Sequence, residues 1–82
     1  MPRYYFDLRD GEAFFDDHEG VDLVDIESAQ VEAAEFLADS VKDLCSRESK
    51  PLGYSISVEV RNSEGLIFLL SFRFFNTSAG HG

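Results

Sequence analysis

The sequence predicts an α+β domain in the order ββ-α-ββ, with one long helix packed on one face of a four-stranded, mainly antiparallel sheet. Three observations predict it. Each half of the chain contains two strand patterns joined by a turn, a helical periodicity separates the halves, and 82 residues suffice for one domain. We therefore expect a single domain over residues 1–75 and a flexible tail over residues 76–82. The order of strands across the sheet does not follow from the sequence.

The first hairpin opens the chain. Residues 3–9 alternate between two sets of side chains, which predicts a strand. Asp10-Gly11 is a dipeptide typical of a two-residue hairpin turn, and residues 12–15 would form the short returning strand. The apolar face of the first strand consists of Tyr4, Phe6 and Leu8.

An acidic loop and a helix follow. Residues 16–24 predict a loop in which Gly20 adopts a positive φ or permits a tight bend. Asp25 is the predicted N-cap, because its carboxylate can accept a hydrogen bond from a backbone N–H of the first helical turn. From residue 26 to about residue 47, apolar side chains recur at helical spacing. They are Ile26, Ala29, Ala33, Phe36, Leu37, Val41 and Leu44.

The second hairpin closes the domain. Residues 54–61 alternate cleanly, residues 62–65 predict a turn that ends in a left-handed Gly65, and residues 66–75 predict the fourth strand. Its side chains expected toward the helix are Leu66, Phe68, Leu70, Phe72 and Phe74.

The opposite face of the sheet is then partly apolar, and a single helix cannot cover it. Such a patch usually marks a contact surface. The predicted interface residues are Tyr5, Ile67, Leu69 and Phe75. The alternative is that arginine stems cover the patch. The arginines in question are Arg3, Arg9, Arg61 and Arg73.

Charge is the second informative feature. Lys and Arg number 7 and Asp and Glu number 16, so the formal net charge is −9. This balance argues against binding to nucleic-acid phosphates and to anionic membrane surfaces. Acidic side chains recur along the helix and predict either a solvated face or a docking face for a basic protein partner, as in an antitoxin-like antagonist. They are Glu32, Glu35, Asp39 and Asp43.

Metal and catalytic signals are weak. The acidic loop could bind a divalent cation or a small ligand weakly, but its spacing does not match an EF-hand. We therefore predict no metal site and no cofactor. His18 and His81 are interpreted as surface residues, and Cys45 as an inert thiol that is buried or half-buried. No nucleophile elbow, phosphate loop or zinc-protease motif occurs in the sequence, so we expect no enzyme.

The opening residues 2–11, PRYYFDLRDG, resemble those of a family of small bacterial proteins that begin M-P-R-[YF]-[YF]-F-x-L-x-D-G. A second block, from Asp17 through Gly20 and Asp25 to Ala33, is similar to the family's D-x-E-G-x-x-L-x-D-x-x-x-A-x-x-x-A. This family is a domain of unknown function, common in rhizobia. The resemblance implies no catalytic residue and no ligand. The matching motifs also have structural interpretations: a turn at Asp10, Gly11 and Gly65, a tight loop at Gly20, and a cap at Asp25.

The sequence thus predicts no defined biochemical function. The leading interpretation is a small acidic cytoplasmic interaction module that self-associates, as a homodimer, through the back of its sheet or a sheet edge. The cytoplasmic assignment rests on the single cysteine and on the absence of a signal-peptide pattern in the sequence. The alternatives are the acidic antagonist of a basic partner and the weak cation or ligand binder of the acidic loop.

Overall fold

The computed structural model describes residues 1–46 and 53–75. One long helix lies on an antiparallel sheet, so the predicted α+β class is confirmed. The predicted tail at 76–82, residue 47 of the predicted helix and His81 lie outside the described residues. The elements are β1 (Arg3–Asp10), β2 (Ala13–Phe15), β3 (Val21–Asp22), α1 (Ile26–Ser46), β4 (Tyr54–Asn62) and β5 (Gly65–Phe74).

The sheet has five strands rather than four. Its order is β2-β1-β4-β5, and β3 also pairs with β1. The extra strand lies within the segment that was predicted to be a loop: Val21 pairs with Tyr4, and the Leu23 N–H donates to the Pro2 carbonyl at 3.0 Å. A two-residue strand carries no periodicity, which is why its sequence gave no signal.

The first turn lies one residue later than predicted. Asp10 pairs with Ala13, so it is the last residue of β1, and the two loop residues are Gly11 and Glu12. Gly11 has a φ of 62° and occupies the first loop position, where a two-residue hairpin of type II′ places glycine. In the second hairpin Asn62 pairs with Gly65, whose φ is 127°.

The core lies between α1 and the middle of the sheet. The helix packs over β4 and β5. Small residues permit this close approach, since Ala29 and Ala33 are fully buried against Val58 and Val60. The helix therefore does not cover the whole width of the sheet. Apolar strand residues remain uncovered along both sides of the helix.

A bulge at the start of β5 changes the expected alternation. The register between β4 and β5 shifts between Val60 and Arg61, so that Leu66 lies opposite Arg61 while Phe68 lies opposite Val60. As a result Ile67 packs against the core and Leu66 is 62% exposed. The predicted orientation of both residues was wrong, because a bulge inserts one residue and reverses the faces beyond it.

Among the described residues, no helix is long and apolar enough to cross a membrane.

Candidate functional site

A buried ion pair lies on the sheet face opposite the helix. Asp7 of β1 and Arg61 of β4 are diagonal neighbours across the two strands. Asp7 is 3% exposed, and its carboxylate accepts a hydrogen bond of 2.7 Å from Arg61 Nε. The guanidinium also lies 4.6 Å above the ring of Tyr5. Carboxylate, guanidinium and ring thus form one packed unit at the centre of this face.

The same unit holds the acidic loop. Arg61 donates to the Asp17 carbonyl at 2.8 Å and to Asp16 Oδ1 at 3.2 Å. Asp7 Oδ1 accepts the Asp17 N–H at 2.8 Å. Arg61 therefore joins two strands and a loop that lies 44 residues away in the sequence.

The side chain of Asp17 takes the place of a neighbouring strand at the outer edge of β1. On the outer edge of β1, no strand of the described residues pairs with the stretch between its pairings with β3 and β2, and there Asp17 Oδ2 accepts the Phe6 N–H at 3.0 Å. Its other oxygen accepts the N–H groups of Glu19 at 3.0 Å and Gly20 at 3.2 Å. A side-chain carboxylate thus takes the place of a ladder carbonyl.

Gly20 allows the loop to lie close to β1. Its φ is 74°, and a Cβ at this position would lie 2.9 Å from Arg3 Cγ and from Tyr5 Cε2. It would also lie 3.0 Å from the Tyr4 carbonyl oxygen. Backbone conformation and space both require glycine.

The electrostatics keep these groups ionised. Burial by itself raises the pKa of Asp7, but the Arg61 hydrogen bond, the Asp17 N–H and the Arg61 charge together lower it below its usual value. Burial likewise raises the pKa of Asp17, and its three backbone N–H donors outweigh that effect and lower it. The hydrogen bond to Asp7 raises the pKa of Arg61. Each carboxylate is paired or hydrogen-bonded, so the cluster holds the loop against the sheet. We call the group of Asp7, Asp16, Asp17 and Arg61 the clamp.

The loop carboxylates are directed at protein donors. Asp16 and Asp17 belong to the clamp, and Asp22 pairs with Arg3 at 3.1 Å. Within the described ranges, no group of three or more His, Cys, Asp or Glu side chains could hold a metal ion. The side chain of His18 is 82% exposed and lies 3.7 Å from Asp16.

The four predicted interface residues have different surroundings. Tyr5 lies beneath Arg61, and Ile67 packs in the core. Leu69 is 50% exposed opposite Glu59, and Phe75 is 63% exposed with the Arg73 guanidinium 5.8 Å from its ring. The structure therefore does not bring all four together in one patch.

The outer edge of β5 presents a different surface. β5 is the last strand of the sheet, and in the described part of the chain nothing pairs with its outer side. Beside it, an open groove of about 410 Å³ separates the strand from the helix. We call this the β5 groove; it is lined by Ala34, Leu37, Ala38, Val41, Leu70, Ser71 and Phe72.

The other flank of the helix meets a second cavity, of about 440 Å³, beside β1 and β2. We call it the β1 cavity; it is lined by Phe6, Leu8, Phe15, Asp16, Asp17, Val21, Glu32 and Phe36. Glu32 is the one member of the predicted acidic face that lines it. Glu35, Asp39 and Asp43 are exposed along the helix.

Sequence reasoning missed both cavities. The available signal was the width of the apolar helix face, which extends beyond Ala29 and Ala33 to Phe36 on one side and Val41 on the other. The prediction that Cys45 is buried or half-buried was wrong: the residue is exposed, because Leu44, its neighbour in sequence, occupies the core position.

One family model matches most of the chain. The model of a family described as a domain of unknown function, DUF6894, matches residues 3–73, which include β1, the acidic loop, α1 and nearly all of β5. Comparisons with curated proteins and with solved structures give no match. Because the family model spans most of the chain, the protein belongs to the DUF6894 family of domains of unknown function.

Proposed function

We propose that this domain is a non-enzymatic, cytoplasmic protein-interaction module that pairs with a second copy of itself through the outer edge of β5 and the β5 groove. The observation that carries the proposal is that, within residues 1–46 and 53–75, no strand pairs with the outer edge of β5 and an apolar groove adjoins this edge. A strand edge is self-complementary, because an antiparallel copy supplies each N–H with a carbonyl.

The edge of β5 lacks most of the devices that prevent pairing. The strand is ten residues long, contains no proline, and has Arg73 as its single charged residue. Natural edge strands are usually short or protected by charges, proline or bulges. The bulge of β5 lies at its beginning, opposite Arg61, and leaves the rest of the strand regular.

The helix adds apolar area beside this edge. Ala34, Ala38 and Val41 follow one another at helical spacing and line the β5 groove together with Phe72. Ala34 and Ala38 are exposed although they adjoin the core. A second copy seated on the edge would bury this stripe together with Leu70.

Charge distribution favours a second copy as the occupant. Glu32 lies on the β1 flank of the helix, and Glu35, Asp39 and Asp43 follow it at spacings that keep them on that side. The acidic loop pairs with β1, at the far side of the sheet from β5. Two copies joined at β5 would therefore hold their acidic surfaces apart and limit the repulsion between two chains of net charge −9.

The acidic antagonist is the alternative, and it uses the opposite flank of the helix. Its surface consists of Glu32, Glu35, Asp39 and Asp43, all exposed. Reversing the charges of Glu35 and Asp39 would abolish binding to a basic partner and leave β5 pairing unchanged.

Solution mass by size-exclusion chromatography with light scattering tests the proposal. We expect a dimer that persists at high salt, because the buried surface is apolar. Leu69→Lys adds a charge on the edge strand, and Ala38→Glu adds one in the groove; both should give folded monomers by circular dichroism. Val24→Glu is the matched control for Ala38→Glu, since it adds the same negative charge at an exposed position before the helix, and it should remain dimeric.

Two results would contradict self-association at β5. One is a wild-type monomer at high protein concentration. The other is a dimer whose mass is the same in Leu69→Lys, Ala38→Glu and Val24→Glu.

A further inference from the structure

We infer that the β1 cavity is a binding site for a small organic cation, a primary amine carried on an apolar body. This inference goes beyond the proposed self-association, and it concerns the opposite flank of the helix. It rests on an aromatic cavity whose rim carries carboxylates.

The interior of the cavity suits a hydrocarbon. Phe6 and Leu8 supply its floor from β1, Phe15 closes it from β2, and Phe36 lines it from the helix. Phe15 is 57% exposed and Phe36 is 36% exposed, so both rings present uncovered surface. The volume of about 440 Å³ lies within the roughly 300–1,000 Å³ of small-molecule sites.

The rim suits a positive charge. Asp16, Asp17 and Glu32 line the cavity together with the rings. Asp16 and Asp17 are held by the clamp, where Arg61 is the one arginine or lysine among the described residues that bonds to Asp7, Asp16 and Asp17. Among the described residues Glu32 forms no ion pair, so the negative charge at the rim exceeds the positive charge.

The aromatic rings and the carboxylates of the cavity both favour a ligand with an ammonium group. An ammonium group gains from the negative face of an aromatic ring and from a nearby carboxylate, while its apolar body displaces water from the rings. A carboxylate ligand would meet repulsion at the rim, and a neutral ligand would gain from the rings alone. A bare metal ion would leave the apolar interior unfilled.

Titration followed by amide chemical shifts and by calorimetry tests the inference. The probe is phenethylamine, with phenethyl alcohol as the neutral isostere and hydrocinnamate as the anionic one. We expect saturable shifts at Phe15, Glu32 and Phe36 with phenethylamine, weaker binding of the alcohol, and no binding of hydrocinnamate.

A second probe, N-acetyl-lysine methylamide, distinguishes a free amine from a lysine side chain as the source of the ammonium group. Tighter binding of phenethylamine assigns the cavity to free amines, and tighter binding of the lysine derivative overturns that assignment in favour of a protein side chain.

Variants distinguish binding in the β1 cavity from general attraction of a cation to the negatively charged protein. Glu32→Gln should weaken phenethylamine binding about tenfold, the loss of one charge-assisted contact. Glu35→Gln is the matched control, because it removes the same charge from the same helix at a position that does not line the cavity. Phe15→Ala, checked for folding by circular dichroism, should abolish binding. Equal effects of Glu32→Gln and Glu35→Gln would overturn the inference, as would equal affinity for the neutral isostere or no saturable shift.

Discussion

The two sides of the sheet end in different ways. On the β1 side, two short strands and the Asp17 carboxylate satisfy the edge, and the clamp of Asp7 and Arg61 holds the loop that supplies that carboxylate. On the β5 side, the edge is ten residues long, and nothing pairs with it in the part of the chain that the structure describes. Polar residues therefore close one edge of this fold, whereas no strand of the described residues covers the other edge.

Breaking the clamp should cost the most stability. Arg61→Met keeps an apolar stem over Tyr5 but leaves the Asp7 carboxylate buried without its cation. An uncompensated buried charge costs about 3 kcal/mol of unfolding free energy. Chemical denaturation at fixed protein concentration measures it. Arg9→Met, which breaks the ion pair of the half-exposed Arg9 with Glu59, is the control; an equal loss in both variants would show that the clamp does not stabilise the closed edge.

Acid should affect the wild type and this variant in opposite ways. In the wild type the folded-state pKa of Asp7 is lowered, so its contribution is present above the unfolded pKa, about 4, and is lost as the pH falls through the folded value. In Arg61→Met burial dominates and raises that pKa, so protonation at low pH relieves the buried charge. Unfolding free energies measured between neutral pH and about pH 3 should converge as the pH falls. A constant difference would show that Asp7 is not the group affected.

The next effect compares two glycines that lie at the two edges. Gly20→Ala combines a positive φ with contacts of 2.9 Å to Arg3 and Tyr5, whereas Gly65→Ala has the positive φ and no atom within 4 Å of its Cβ. We expect a loss of about 2 to 3 kcal/mol for the first and about 1 kcal/mol for the second, measured by thermal and urea unfolding. Equal losses would mean that the loop relaxes away from β1, and that its close approach contributes little to stability.

The sequence carried most of the fold and little of the candidate site. The periodicities predicted the helix and four of the strands, because apolar spacing depends on local geometry. The two-residue β3 and the bulge opposite Arg61 depend on long-range pairing, which no local pattern encodes.

The clamp was invisible for a similar reason. Asp7 and Arg61 are 54 residues apart, and each reads locally as a polar residue on a solvent-facing side of a strand. The strand order that makes them neighbours did not follow from the sequence. The cavities depend on where the helix crosses the sheet, which is set by the packing of Ala29 and Ala33.

The N-terminal cap of the helix, which lies outside both edges of the sheet, should contribute the least stability. Asp25 Oδ1 accepts the Ser28 N–H at 2.9 Å and caps the helix, and that hydrogen bond lowers the pKa of its carboxyl. Asp25→Ala should reduce the unfolding free energy by less than Gly20→Ala does, without changing the solution mass or phenethylamine binding. Because the lowered pKa makes the contribution of the cap present above about pH 4, the loss should shrink as the pH falls through the folded pKa. Additivity with Gly20→Ala in the double variant would place the cap apart from the clamp, whereas strong coupling would mean that the helix start and the loop unfold as one unit.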